Sequence, residues 1–200
     1  MKMKKAALIA GILGAVIIGS SITITQQNEY KLIRQFGKVD RVICEPGISF
    51  KIPLIERTQS LPKETLLYDL EASDVITKDK KTMISDSYVL WRITDPLKFA
   101  QTLNSSLENS ESRINTAVYN ATKNVISSLS QDRVITSRDG ELSDMVMEAI
   151  GDNMEQYGIE LIKFETKQLD LPDDNKAAVY ERMISERDNI AATYKAEGDS

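Results

Sequence analysis

From Tyr88 to Thr94 the chain alternates. Val89, Trp91 and Ile93 fall on one face and Tyr88, Leu90, Arg92 and Thr94 on the other, the period-two pattern of a half-buried strand. The same alternation recurs in Ile48, Phe50, Ile52 and Leu54, behind a Pro46-Gly47 turn. EYKLIRQFGKV leads into a turn, TLLYDL reads as a further strand, and VITKDKKTMI reads as two short strands around a charged tip. Residues 29–94 are therefore expected to form a strand-rich subdomain.

At TDPLKFAQTL the period changes, because Asp95 can cap a helix and Pro96 is tolerated at its first position. The spacing predicts a short helix through Leu103 and a longer one over 110–129, where Ile114, Val118, Ala121, Val125 and Leu129 recur every three or four residues. RVITSRDGELSDMVMEAIGDNMEQYG predicts a third helix with Leu142, Val146, Ala149 and Ile150 on one stripe and Gly158 as its stop, before a strand over IELIKFETKQL. Strands followed by helix, helix and strand point to an α+β arrangement, with helices on a mixed or antiparallel sheet and a second subdomain over 95–170.

Pro172 opens a last helix in which Ala177, Tyr180, Ile184, Arg187, Ala191 and Tyr194 step by three and four residues. That seam suits a helix capping its own domain or one seeking a neighbouring chain, and so short a seam is marginal alone. The polar ending EGDS reads as a cut through a continuing coiled-coil helix over 171–200.

Ahead of the strands, an uncharged run of twenty residues from Ala6 to Thr25 would rise about 30 Å as a helix, the thickness of a hydrocarbon core. It outlasts the apolar core of a cleaved signal peptide, the competing reading, so residues 1–28 are expected to hold a transmembrane anchor. Lys2, Lys4 and Lys5 precede the run and Glu29 is the first charge after it, which places the N-terminus in the cytoplasm and the rest of the chain outside.

Composition narrows the chemistry. The chain has no histidine, so imidazole triads, imidazole general bases and nitrogen-ligated zinc are excluded. One cysteine, Cys44, cannot close an intrachain disulfide and is expected to be a small buried or turn residue. Beyond the N-terminal lysines, 22 basic face 30 acidic groups, which disfavours nucleic acid and leaves apolar contact as the expected mode of meeting lipid.

Asp69 with Glu71, Asp173 with Asp174 and Glu186 with Asp188 sit in polar contexts that suit solvated surface groups. Lys80, Lys81 and Ser85 read as a charged hairpin tip ahead of a Ser/Lys dyad, and DRVITSRDGE has a single glycine where a phosphate loop needs several. No constellation carries a reaction, and neither a catalytic residue, a metal nor a cofactor is expected.

The order of the apolar run, RQFGKV, EPGISFKIPLIE, DSYVLWRITDP, RVITSRDGEL and KQLDLPDDNKAAVYERMISER resembles the stomatin, prohibitin, flotillin and HflK/C family over essentially the whole chain. The resemblance implies an SPFH (band 7) domain of two subdomains on a single-pass bacterial plasma-membrane anchor, continued by a coiled-coil arm. It implies a non-enzymatic scaffold that joins an HflK-like paralogue in a ring or cage and modulates an FtsH-like membrane AAA protease. A stomatin-like lipid organiser acting without the protease is the alternative.

The stretch EPGISFKIPLIE has three readings: core strand, substrate groove, or bilayer contact. Alternation alone favours a half-buried strand with Phe50 and Ile52 facing the core. The resemblance sets this segment beside the lipid bilayer, which makes Ile48, Phe50, Leu54 and Ile55 candidate membrane contacts. Leu54 and Ile55 are favoured because adjacent apolar residues in a strand cannot share one face. The candidate inter-subunit contacts are Ala177, Tyr180, Ile184, Arg187, Ala191 and Tyr194.

Overall fold

The computed structural model describes residues 19–137, 140–170, 184, 185 and 187. Nine strands and four α-helices of mixed order lie wholly within them, an α+β chain. The described residues fall into two compact units, each discontinuous in sequence: residues 19–68, 89–118 and 150–163 form one, and 69–88, 119–137, 140–149 and 164–170 belong to the other.

The first unit opens with β1 (Ile22–Thr25), which pairs antiparallel with β4 (Gly47–Phe50) as a two-stranded ribbon. A second sheet runs β3-β2-β5, from β2 (Glu29–Gln35), β3 (Lys38–Ile43) and β5 (Glu56–Pro62). Its central strand is apolar on both faces, so Leu32 and Ile33 are both fully buried. Helix α1 (Pro96–Leu103) starts as its sequence dictates: the Asp95 carboxylate accepts from the Lys98 N–H at 2.9 Å, and Pro96 occupies the first turn. It packs on β2, β3 and the 3₁₀ segment Gly151–Tyr157, burying Phe99, Ala100 and Leu103. Gly158 ends that segment at φ 71°, and its carbonyl accepts from the Thr94 and Asp95 N–H groups.

In the second unit β7 (Ser73–Ile76) pairs antiparallel with the start of β8 (Thr82–Ile93) around a charged tip. Asp79 in that tip accepts from Thr77 Oγ1 and from the Gln131 N–H, which lowers its pKa and secures the first turn of α3 (Gln131–Thr136). The core here is Val75, Met83, Ile126, Val134 and Leu142, with Val125, Leu129, Met145 and Leu169 packed against it.

Elsewhere β6 (Leu66–Asp69) and β9 (Ile159–Asp170) both pair with β8, whose Val89, Trp91 and Ile93 are buried as their alternation predicts. Helix α2 (Leu107–Ser128) covers the expected 110–129 segment, its stripe passing through Ile114, Val118 and Ala121 to Ile126, with Val125 half-buried.

Four expectations change. The third helix is two, α3 and α4 (Glu141–Ile150), separated by a break that contains Gly140 at φ 109°. Ala149 falls outside the buried stripe of α4 and is exposed. Cys44 lies exposed in the β3–β4 connection, so the buried alternative falls. The apolar run does not continue as helix to Thr25: residues 19–21 are helical, and Ile22–Thr25 are β1. The β-branched sequence ITIT, with a strand to pair against, ends the helix four residues early. The remainder of the anchor segment lies outside the described residues. Among the described residues, no helix is long and apolar enough to cross a membrane.

Candidate functional site

The β1–β4 ribbon reverses the usual economy of a strand. Its register sets Ile22 opposite Phe50 and Ile24 opposite Ile48, so four apolar side chains share one face. That face is the exposed one, with Ile48 and Phe50 each 69% accessible, while Thr23 and Thr25 on the other face are buried. The expectation that Phe50 and Ile52 face the core is therefore wrong. Alternation places Ile48 and Phe50 on one side but does not say which side is wet, and both Phe50 and Ile52 are exposed.

Two turns of the same unit carry further exposed apolar side chains. Leu54, in the β4–β5 connection, is 100% accessible and sits at φ 77°. Phe36 and Gly37 form the two-residue turn between β2 and β3 at φ 50° and 85°, the left-handed pair of a type I′ hairpin, and Phe36 is 86% accessible. A bulky side chain at positive φ is an outlier, and two of them carrying the most exposed apolar groups point to a use for that exposure.

Polar groups beneath hold these apolar tips in place. The buried Glu56 carboxylate accepts from the Ile52 N–H at 2.8 Å and from Arg41 at 3.3 Å, the Glu56 N–H donates to Ile52 O at 2.9 Å, and Arg41 also donates to Phe50 O. This fixes the 51–55 loop against β3 and β5 and offsets the cost of a buried carboxylate. At the other end of the ribbon, Lys31 Nζ donates to Ile24 O and lies 2.8 Å from Glu29, whose carboxylate also accepts from the Gln26 N–H. Hydrogen bonds from Lys31, then Ser60 and the Gln26 N–H, lower the Glu29 pKa from 4.5 to about 2.

The four candidate membrane contacts, Ile48, Phe50, Leu54 and Ile55, thus share this unit, and all are exposed. Ile22, Ile24 and Phe36 belong with them, although the sequence reading did not single them out. The signal for Phe36 was present in its dipeptide, a Phe-Gly where a two-residue hairpin favours Asn-Gly. Of the candidate seam, Ile184 and Arg187 are helical and exposed, and Ala177, Tyr180, Ala191 and Tyr194 lie outside the described residues. Ser85 is buried in β8, while Lys80 and Lys81 occupy the charged tip. No group of three or more acidic or cysteine side chains among the described residues could hold a metal ion.

Residues 23–200 match the model of the SPFH domain / Band 7 family. The chain belongs to that family. It is 29% identical over 194 residues to Protein HflC of Haemophilus influenzae, covering 92% of this chain and 66% of that one. It is 25% identical over 242 residues to the modulator of FtsH protease HflC of Escherichia coli K12, covering 98% and 72%. An uncharacterized protein of Methanocaldococcus jannaschii is 29% identical over 192 residues, covering 96% of this chain and 94% of that one. The chain therefore spans about two thirds of the length of the HflC proteins that it matches.

Proposed function

We propose that this chain is a non-enzymatic membrane scaffold whose SPFH domain lies on the outer face of a bacterial plasma membrane and modulates an FtsH-like AAA protease. The observation that carries the membrane part is the exposed face of Ile22, Ile24, Ile48 and Phe50, continuous in sequence with the apolar N-terminal run. A spanning helix over residues 6–21 would rise about 24 Å against a hydrocarbon core of about 30 Å. Set in the outer leaflet, the ribbon supplies the apolar depth that the shorter helix lacks. The relatives' name as modulators of FtsH protease supports the protease as partner. An arm over 171–200 joins an HflK-like paralogue side by side, and many weak lateral contacts add through high effective concentration.

Two measurements test this. Replacing Leu54 and Ile55 by aspartate removes exposed apolar groups without opening a core, so a chain beginning at Gly19 keeps its fold and loses flotation with liposomes. Unchanged flotation sinks the bilayer contact. Purification of the whole protein in mild detergent is expected to bring an HflK-like paralogue and the protease with it. Recovery of lipid and self-assemblies alone favours the stomatin-like alternative.

A further inference from the structure

Although the chain is acidic overall, charge at the apolar tips is locally reversed. Arg34 and Arg57 stand directly opposite each other across β2 and β5, on the same face of the sheet. Both line a cleft of about 580 Å³, together with the apolar Phe36, Leu54 and Ile55 and the polar Thr58 and Gln59. Among the described residues no carboxylate lines it. Like charges in directly opposed positions destabilise a sheet, so the pair calls for an anion. Arg34 donates to Ser105 Oγ at 2.7 Å, which anchors its guanidinium, and its buried Nε has no hydrogen-bond partner. Arg57 is exposed and has no ion pair among the described residues. Arg34 also borders a second cleft, where Lys38 is the other charged residue and no acid is present among the described residues.

We propose that this cleft holds the phosphate of an anionic phospholipid headgroup. Arg34 and Arg57 form the phosphate clamp, and Phe36, Leu54 and Ile55 lie along the acyl chains below it. The chemistry fits at each level: guanidinium forks match phosphate oxygens, Thr58 and Gln59 suit a polyol headgroup, and the apolar side chains occupy the depth beneath. Local cations at the headgroup plane overcome the repulsion that the net charge of −5 implies, because surface charges beyond about 8 Å are screened at physiological salt. The inference rests on the bilayer contact proposed above and adds a headgroup preference that the contact alone does not require.

The test is native mass spectrometry of the full chain released from an uncharged detergent, with phosphatidylglycerol and phosphatidylcholine offered in equal amounts. Preferential retention of phosphatidylglycerol is expected, falling about fivefold in Arg57→Gln and largely kept in Arg57→Lys. Arg34→Gln should act likewise, with Trp91 fluorescence checking that its lost Ser105 contact has not unfolded the unit. Equal retention of the two lipids by the native chain, or an unchanged preference in Arg57→Gln, overturns the proposal. Displacement of the lipid by inorganic phosphate at matched concentration overturns the lipid assignment in favour of a free-anion site. Because retention is read in micelles, loss of headgroup preference is separable from failure of the Leu54→Asp, Ile55→Asp flotation test, which concerns the bilayer contact alone.

Discussion

Replacing Phe36 by asparagine should make the protein more stable and worse at holding a membrane. Phe36 and Gly37 are the two central residues of the β2–β3 hairpin, both at positive φ, where Asn-Gly is the favoured pair. A left-handed conformation disfavours an ordinary L-residue by about 1–2 kcal/mol, and asparagine adopts it with little strain. The Phe36 ring is 86% accessible, so its removal sacrifices little packing. The expected gain is about 1 kcal/mol, or roughly 2–4 °C in Tm for a chain of this size. If the ring instead lies in lipid, its removal forfeits about 1.5–3 kcal/mol of apolar burial, a drop of tenfold or more in partitioning. Trp91, the one tryptophan and fully buried in the same unit, reports the unfolding, and flotation of a chain beginning at Gly19 reports the partitioning. An unchanged or lower Tm refutes the strain argument. A higher Tm with unchanged flotation refutes the placement of Phe36 in the bilayer.

Gly158→Ala is expected to destabilise the first unit by about 3 kcal/mol in chemical denaturation, because a Cβ there would meet Asp95 O at 2.3 Å at a φ of 71°. Glu56→Ala frees the Ile52 N–H and Arg41, so it should lower stability by about 1–3 kcal/mol and speed amide exchange in residues 50–55. The Glu29 carboxyl has a folded pKa of about 2, below its ordinary 4.5. Its stabilising contribution is therefore complete above pH 4.5 and lost as pH falls toward 2, and Glu29→Gln should flatten that limb of an acid titration followed by Trp91 fluorescence.

Local signals proved legible where one strong pattern decides an element. Asp95-Pro96 placed the start of α1, and the unbroken alternation of β8 placed Val89, Trp91 and Ile93 in the interior. Patterns whose meaning depends on a distant partner were not legible. ITIT is apolar enough to extend an anchor, and only the pairing with β4 makes it a strand. ERTQSLP carries few apolar residues and gave no strand signal, yet as β5 it borders β2 along its full length, with Glu56 buried by a long-range ion pair. The candidate contacts Ile48 and Phe50 emerged because a family resemblance outweighed alternation, which by itself would have sent Phe50 inward.

The distribution of backbone strain supports treating the apolar tips and the arginine cleft as one device. Five non-glycine residues among those described have positive φ; of these, Phe36 and Leu54 line the arginine cleft, Ser105 holds two of its lining residues, and Asn104 borders the second cleft. The Ser105 hydroxyl accepts from Arg34 and its carbonyl from Gln59, so the left-handed turn after α1 fixes two groups of the arginine cleft. Phe36 and Leu54 instead hold apolar groups away from the body. A protein selected only for stability in water would place glycine or asparagine at positions 36 and 54, each substitution relieving about 1 kcal/mol. Phenylalanine and leucine at these two positions lower stability in water, as expected of side chains that the proposed membrane contact uses. Phe36→Asn and Arg57→Gln are the informative pair: the first should relieve strain and lose depth, and the second should leave depth unchanged and lose headgroup preference. If both variants lose depth and headgroup preference together, the tips and the clamp are not separable in the way this arrangement requires.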